Sequence, residues 1–173
     1  MFALRVRIPL WADGATVTVD GESLDGGCRP GSYCATTRRW SPGDVVELDL
    51  PMRVRLIEGH PRIETVRNQV TVMRGPLVYC LESPDLPEGM HVDEVQLPLD
   101  VDLKSRHDPG LLGGVTVLEG EVEVVRRGDW SGQLYRELSR TAPERVRVAL
   151  IPYYAWCNRG VSEMSVWLPL ARG

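Results

Sequence analysis

Hydrophobic and polar residues alternate along most of this chain, so the dominant period is two. In the first run, Leu4, Val6 and Ile8 alternate with arginines. The same alternation recurs in runs at residues 16–20, 45–50, 115–125, 145–151 and 164–168. Short β-branched runs of about four to eight residues, bounded by glycine, proline or aspartate, are typical of strands with one buried face. The pattern therefore predicts an all-β fold.

Turn-forming residues separate the runs at Asp13-Gly14, Asp20-Gly21, Asp25-Gly26-Gly27 and Ser41-Pro42-Gly43-Asp44. Dense turns between short strands predict an antiparallel, jelly-roll-like β-sandwich. The polar stretch 100–114, which is rich in glycine, predicts a loop. A further turn-rich stretch at residues 58–61 predicts a domain boundary. We expect two sandwich-like units, the first at residues 1–60 and the second, C-terminal one at residues 61–173.

The first block offers only about four or five strands, which is few for a two-layer sandwich. Its opening strand, Phe2 to Ile8, begins without a preceding partner, and an unpaired edge strand seeks another strand. We therefore expect the first unit to be incomplete and to depend on other contacts. The expected outcomes are a homodimer formed by strand addition, strand exchange, or docking of the first block onto the second. The alternative is that Met1 to His60 forms a small complete sheet whose open face is covered by loops.

Charge and hydropathy argue against two classes of partner. The net charge is −4, from 20 basic and 24 acidic residues that are mixed along the chain. A nucleic-acid-binding protein would need a basic patch, so we expect no nucleic-acid partner. We also expect no membrane partner, because no apolar run approaches the roughly 20 residues that span a bilayer. Met1 leads into a strand pattern rather than a signal peptide, which predicts a cytoplasmic location.

The four cysteines show no close CxxC spacing of the kind found in zinc or redox sites. Cys80 and Cys157 lie in apolar runs and are predicted to be buried thiols. Cys28 and Cys34 flank a short loop, so a local disulfide is the alternative in an oxidising compartment. We expect four reduced thiols, as in an intracellular protein.

A search for catalytic chemistry finds no Gly-x-Ser-x-Gly elbow, no HExxH motif and no phosphate-binding loop. Carboxylate pairs carry out glycoside hydrolysis, but Glu119, Glu121 and Glu123 alternate on one strand and are predicted to form a solvated face. The carboxylate oxygens of Asp100 and Asp102 are the kind of ligand that Ca²⁺ prefers, but these residues do not lie in an EF-hand sequence pattern. We expect no catalytic residue, no metal ligand and no cofactor in this chain.

The densest local signal is an aromatic cluster near the end of the chain. Its candidate substrate-binding residues are Tyr153, Tyr154, Trp156, Asn158 and Arg159. Aromatic rings beside amide and guanidinium donors can hold a sugar ring, and the same rings can pack one domain on another. We favour the packing role. An exposed coplanar aromatic pair would favour sugar binding. Burial of Trp11, Trp40 and Trp156 would instead favour a scaffolding role for this region.

Several strings resemble the C-terminal β-sandwiches of family 127 glycoside hydrolases and occur in that family's order. The first sandwich is matched by Leu4-Arg5-Val6-Arg7-Ile8-Pro9-Leu10-Trp11-Ala12, Gly31-Ser32-Tyr33, Arg39-Trp40-Ser41-Pro42-Gly43-Asp44 and Leu50-Pro51-Met52. The second is matched by Arg74-Gly75-Pro76-Leu77-Val78-Tyr79-Cys80-Leu81-Glu82, Ile151-Pro152-Tyr153-Tyr154-Ala155-Trp156-Cys157-Asn158-Arg159-Gly160, Met164 and Val166-Trp167. Together these matches reach from about Phe2 to Leu168.

The resemblance implies a parent protein that acts on β-L-arabinofuranosides, with a catalytic α/α barrel followed by β-sandwiches. It also implies a cysteine nucleophile and a zinc ion bound by glutamate and cysteines, all within the barrel. The family's Cys-Cys-Pro motif, its Glu-x-Cys pair and the helical periodicity of the barrel do not occur in this sequence. No catalytic or metal-binding residue is therefore carried over from the family.

The expected function is that of a non-catalytic accessory region of a glycoside hydrolase. Its expected partners are a preceding or separate α/α barrel catalytic domain and arabinose-containing glycans. The alternative is a carbohydrate-binding module that acts through tryptophan and tyrosine faces, and an autonomous enzyme with a site formed only in space is a third interpretation. We expect the isolated chain to be inactive as a glycosidase.

Overall fold

The computed structural model describes residues 1–24, 28–138 and 141–171. Across these ranges the strands pair antiparallel, and the helical segments are short 3-10 turns at Glu64–Val66, Ser83–Asp85, Val92–Glu94 and Tyr153–Ala155. The prediction of an all-β fold without a helical barrel is confirmed for this chain. No helix among the described residues is long and apolar enough to cross a membrane.

The first unit comprises Met1–Arg53. Its strands are β1 (Phe2–Arg7), β2 (Thr16–Val19), β3 (Glu22–Ser23), β4 (Tyr33–Arg38) and β5 (Val46–Asp49). β1 pairs with β4, and β2 lies between β3 and β5. The unit's small core contains the buried residues Ile8, Ala12, Val17 and Cys34. Within the part of this unit that the structure describes, β4 is the one strand partner of β1, so the other edge of β1 carries no strand.

The second unit comprises Val54–Gly173 and is built on a curled nine-stranded sheet. Its strands are β6 (Val54–Glu58), β7 (Gln69–Arg74), β8 (Leu77–Glu82), β9 (Val95–Gln96), β10 (Lys104–Asp108), β11 (Val115–Val124), β12 (Glu144–Pro152), β13 (Met164–Ser165) and β14 (Trp167–Pro169). The main path runs β10-β11-β12-β8-β7-β14. Alternating residues of β8, β11 and β12 supply a fully buried core that includes Tyr79, Leu81, Leu118 and Leu150.

The units divide between Arg53 and Val54, ahead of the predicted boundary near residue 60. The difference arises from β6, which the sequence pattern grouped with the first block. β6 pairs with β7 along its whole length, from Val54 opposite Arg74 to Glu58 opposite Val70. The turn-rich residues 58–61 therefore lie in the connection between two paired strands of one sheet.

The expectation of reduced thiols is wrong for one pair, because Cys28 and Cys34 form a disulfide. The intervening loop reverses direction where Gly31 adopts a left-handed φ of +82°, and the Ser32 N–H donates to the Arg29 carbonyl at 3.1 Å. This turn brings the two cysteine Cα atoms to 4.6 Å, a separation that a disulfide spans.

The other two cysteines are free and differ from each other. Cys80 is buried, as predicted, and its thiol donates a weak hydrogen bond to the Ile151 carbonyl at 3.8 Å. Cys157 is exposed, so the prediction of a buried thiol there is wrong. It lies in the turn that follows β12, with a left-handed φ of +66°, rather than inside a strand.

Candidate functional site

The predicted aromatic cluster lies in the aromatic loop (residues 153–163), which follows β12. β12 ends beside β8, where Ile151 and Pro152 pair with Cys80 and Tyr79. The chain then enters a 3-10 turn at Tyr153–Ala155, in which only the alanine is buried. The end of the central sheet therefore sets the position of the loop.

Three aromatic side chains of this loop lie at the surface. Tyr153 is 45% exposed, Tyr154 is 65% exposed and Trp156 is 37% exposed. The rings of Tyr153 and Trp156 stack with centroids 5.9 Å apart and planes 11° from parallel. Trp156 is the extended residue that caps the 3-10 turn, and its backbone N–H donates to the Tyr153 carbonyl at 3.1 Å, so closure of the turn brings the two residues together. The loop therefore presents a near-parallel aromatic pair to solvent.

A buried carboxylate accepts hydrogen bonds from the aromatic loop and fixes its position. Glu82, the last residue of β8, is fully buried. Its carboxylate accepts hydrogen bonds from Arg159 Nε at 3.1 Å and Nη2 at 2.5 Å. It also accepts one from the Cys157 backbone N–H and one from the Ser162 hydroxyl, both at 3.1 Å. Three positions of the loop are thus tied to the end of one strand.

Asp85 completes this buried ion network (Glu82, Asp85, Arg159 and Ser162). Arg159 Nη1 and Nη2 donate to its two carboxylate oxygens at 2.8 and 2.6 Å. Each guanidinium nitrogen of Arg159 thus faces a carboxylate, and the side chain is only 17% exposed. The hydrogen bonds that Arg159 donates to Asp85, and then those that it donates to Glu82, raise the pKa of Arg159, which keeps it charged.

The two polar residues of the predicted sugar site support the loop from within. Asn158 Nδ2 donates to the carbonyls of Ala155 and Trp156 at 3.0 and 3.2 Å. Arg159 is occupied by its carboxylate partners. The structure therefore brings the three predicted aromatic residues together at the surface, while Asn158 and Arg159 fix the backbone beneath them.

The buried groups under the loop have the wrong protonation states for hydrolysis. Burial raises the pKa of Glu82, but hydrogen bonds from Arg159, Cys157 and Ser162 outweigh burial and leave that pKa below its ordinary value. A glycosidase general acid needs a raised pKa instead. Burial, reinforced by the Glu82 charge, raises the pKa of the Cys80 thiol to about 12, so it is no thiolate nucleophile at neutral pH.

Three of the other carboxylates singled out from the sequence, Glu119, Glu123 and Asp102, are paired with basic side chains. Glu119 accepts hydrogen bonds from Arg106 at 2.9 Å and from Arg147 at 3.2 Å. Asp102 lies 3.3 Å from the Lys104 ammonium group. Within residues 1–24, 28–138 and 141–171, no group of three or more His, Cys, Asp or Glu side chains is placed to hold a metal ion.

Sequence reasoning identified the aromatic residues but missed Glu82, Asp85 and Ser162 as functional positions. The available signal was a glutamate directly after the apolar run 77–81, where a charge enters the core only with a partner. Its partner Arg159 lies 77 residues further along the chain, so only the fold reveals the pair.

Comparisons with known proteins agree with this architecture. A family profile described as "Glycoside hydrolase family 127 C-terminal domain" matches residues 54–169, and one described as "Beta-L-arabinofuranosidase, GH127 middle domain" matches residues 1–52. A non-reducing end β-L-arabinofuranosidase from Bifidobacterium longum subsp. longum is 32% identical over 170 residues. That match covers 94% of this chain and 25% of the Bifidobacterium protein.

Three solved structures are similar throughout. A glycoside hydrolase has a TM-score of 0.90 and 44% identity, covering 99% of this chain and 28% of its own. A GH127 β-L-arabinofuranosidase from Geobacillus stearothermophilus T6 has a TM-score of 0.86 and 41% identity, covering 98% and 26%. A GH127 β-arabinofuranosidase has a TM-score of 0.83 and 31% identity, covering 98% and 28%.

The chain therefore spans about a quarter of the length of the relatives it matches. The two family profiles meet where the two structural units divide. The zinc ion implied by the family resemblance needs a glutamate and cysteines in one cluster. The described residues bring no such cluster together. No chemical step is therefore assigned to zinc in this chain. On the profile matches and the structural likeness, this chain belongs to glycoside hydrolase family 127 and carries the family's middle and C-terminal domains.

Proposed function

We propose that this chain is a non-catalytic accessory region of a family 127 glycoside hydrolase and supports a catalytic α/α barrel that acts on β-L-arabinofuranosides. The observation that carries the proposal is the state of Glu82. This carboxylate is fully buried, ionised and committed to holding the aromatic loop. The most buried acid beside the candidate site therefore has a structural task.

The geometry of the two neighbouring carboxylates supports the same conclusion. Glycosidases place two carboxyl groups on either side of the scissile bond, about 5 to 9.5 Å apart, with sugar between them. Glu82 and Asp85 instead share one guanidinium group, which fills the space between them. The length of the relatives is a second support, because the matched region is about a quarter of each relative.

A chimera tests the accessory role. The matched quarter of the Geobacillus β-L-arabinofuranosidase is replaced by this chain, and the chimera is compared with an enzyme truncated before that quarter. We expect the chimera to be soluble and active and the truncated enzyme to lose solubility or activity, because the exposed face of its barrel would lack its cover. A truncated enzyme as soluble and active as the intact one would contradict a supporting role.

A second candidate function, sugar binding, is favoured by the exposed pair of Tyr153 and Trp156. Aromatic rings offer apolar faces with polar edges, which suits the C–H face and hydroxyl rim of a sugar. The buried ion network holds the rings in place before binding, so little conformational entropy would be lost on contact. The ligand class would be an arabinose-containing glycan.

Indole N–H resonances in an NMR titration test this second function. An arabinofuranosyl oligosaccharide is added to the wild-type chain, to Trp156→Ala and to Trp130→Ala, a matched control because Trp130 is 42% exposed outside the aromatic loop. Sugar binding predicts saturable shifts in the wild type and in Trp130→Ala that disappear in Trp156→Ala. No saturable shift in the wild type would rule out sugar binding and leave the accessory role alone.

A further inference from the structure

A cleft with a volume of about 650 Å³ opens in the second unit between β13, β14 and the 3-10 turn Val92–Glu94. Small-molecule sites have volumes of about 300–1,000 Å³ and a few polar groups that converge on the ligand. Three apolar side chains line part of this cleft. The remaining lining residues, which define the Trp167 cleft, are Gln69, Asp93, Arg127, Glu163, Ser165 and Trp167. Its size and its mixed lining therefore suit a small molecule.

Strand pairing fixes the aromatic wall of the cleft. Trp167 lies in β14 directly opposite Thr71 of β7, and its side chain is partly buried. The Ser165 hydroxyl donates to the Trp167 carbonyl at 2.7 Å. The Leu97 N–H donates to the Pro169 carbonyl at 2.7 Å and ties the end of β14 to the neighbouring segment. The indole ring is therefore held in place before a ligand arrives, so little conformational entropy is lost on binding.

Hydrogen bonds to buried and half-buried carboxylates fix the polar wall. Glu94 is nearly buried and accepts the Arg127 backbone N–H at 2.9 Å. The guanidinium group of Arg127 pairs with the carboxylate of Asp93. Glu163 accepts the Val92 backbone N–H at 3.0 Å and so connects the strand side of the cleft to the 3-10 turn. The charged groups of the cleft are thus positioned by the fold itself.

These charged groups keep hydrogen-bonding capacity for a ligand. A carboxylate accepts about four hydrogen bonds, and Glu163 faces only the Val92 N–H and His91 Nδ1, the latter at 2.8 Å. The hydrogen bond with His91, and then that with Val92, lower the pKa of Glu163, so it remains an ionised acceptor. The side chain of Arg127 is 44% exposed, and a guanidinium group carries five N–H donors. The cleft therefore offers both donors and acceptors beside an aromatic ring.

The charges of the cleft favour a neutral ligand with many hydroxyl groups. An anion would meet the carboxylates of Asp93 and Glu163, and a cation would meet the guanidinium group of Arg127. An apolar ligand would desolvate these groups without replacing their hydrogen bonds to water. A hydroxyl group both donates and accepts, and the C–H face of a sugar stacks on an aromatic ring. A saccharide meets all of these requirements.

We propose that the Trp167 cleft binds a short neutral saccharide, with the indole ring of Trp167 against one face of a sugar. Arg127 donates to the sugar hydroxyls and Glu163 accepts from them. The amide of Gln69, at the start of β7, does both. This site uses none of the rings of the aromatic loop, and it rests neither on the accessory role nor on sugar binding at that loop.

An NMR titration of the ¹⁵N-labelled full chain tests the proposal. The indole N–H resonance of Trp167, assigned with Trp167→Phe, is followed as an arabinofuranosyl disaccharide is added to about 20 mM. We expect a saturable shift with a Kd on the order of 1 mM, because small ligands gain little free energy per atom. The double variant Gln69→Ala with Arg127→Gln should raise this Kd by at least about 10-fold, since it loses two polar contacts.

Two control variants locate the binding. Arg145→Gln removes a 56% exposed arginine that pairs with Glu123 outside the cleft, and it should leave the Kd unchanged. Trp156→Ala removes a ring of the aromatic loop and should also preserve the shift of the Trp167 resonance. Loss of that shift in Trp156→Ala would place the sugar on the aromatic loop and overturn the Trp167 cleft.

Three further outcomes would overturn the proposal. One is the absence of a saturable Trp167 shift in the wild type, and another is an unchanged Kd in the double variant. The third is a galacturonate disaccharide that binds at least as tightly as the neutral one. If the double variant fails to fold, nuclear Overhauser contacts between sugar C–H protons and the Trp167 ring of the wild type decide the question. Their presence is expected, and their absence at saturating sugar would equally overturn the site.

Discussion

The substitution Arg159→Met tests the buried ion network directly. It removes the guanidinium group and keeps an unbranched side chain of similar reach. Glu82 would then keep two hydrogen-bond donors, the Cys157 N–H and the Ser162 hydroxyl, while remaining fully buried. Removing one partner of a buried ion pair costs about 3–5 kcal/mol, because the other charge stays desolvated and unpaired.

That magnitude translates into a large change in melting temperature. The second unit has roughly 120 residues, for which 1 kcal/mol corresponds to about 3–5 °C. We therefore expect Arg159→Met to lower the Tm of this unit by about 10–20 °C. Urea unfolding followed by tryptophan fluorescence measures the free energy, and near-UV circular dichroism reports whether the Tyr153–Trp156 stack is lost.

A matched surface variant separates this effect from the general loss of an arginine. Arg147 lies 3.2 Å from Glu119, but its side chain is 77% exposed, so Arg147→Met should leave the Tm within error of wild type. The double variant Glu82→Gln with Arg159→Met should recover part of the lost stability, since no buried charge remains. An Arg159→Met protein that unfolds at the wild-type urea midpoint would refute a stabilising role for the network.

Three further predictions concern pH, packing and the disulfide. The pKa of Glu82 in the folded protein lies below its ordinary value of 4.5. The ionised carboxylate therefore contributes its full stabilisation of the fold above pH 4.5, and that contribution is lost as the pH falls through the folded pKa. Acid unfolding that is unchanged in Glu82→Gln would contradict this. Gly120→Ala would place a Cβ 2.7 Å from Leu103 Cδ2. The overpacking should lower the free energy of unfolding by about 1–3 kcal/mol in a urea titration. An unchanged free energy of unfolding would show that the strand shifts to accommodate the methyl group. Replacing Cys28 and Cys34 by serine should destabilise the first unit by about 2 kcal/mol, because the closed loop is short, and an unchanged Tm would argue that the disulfide contributes nothing.

Periodicity predicted most of the strands, because each alternating run has one face that must be buried. Periodicity failed where a segment without alternating hydrophobic residues becomes a strand because it pairs with a neighbouring strand. β10 at Lys104–Asp108 is entirely polar, so the stretch around it was predicted to be loop, yet it pairs along β11 from Lys104 opposite Glu119 to Asp108 opposite Val115. The domain boundary was displaced for a similar reason, since a turn between paired strands and a linker have the same composition.

The candidate site was likewise predicted only in part, because its aromatic residues are close together in sequence and its buried ion pairs are not. Aromatic residues close together in sequence were predicted as a cluster, and the structure places them together on the surface. The polar residues could not be assigned, because the sequence does not show whether Arg159 faces a ligand or a carboxylate. Its partners Glu82 and Asp85 are 77 and 74 residues away in the chain. The disulfide likewise depended on the closure of one loop by Gly31.

The proposed accessory role predicts that this chain performs no glycoside hydrolysis of its own. The most direct measurement is a β-L-arabinofuranosidase assay of the purified 173-residue chain with p-nitrophenyl and natural β-L-arabinofuranosides, in the presence of zinc and reductant. The account predicts no release of sugar or nitrophenol above the buffer blank. Turnover that remains with the protein through repurification and disappears when a single acidic residue is replaced would contradict it.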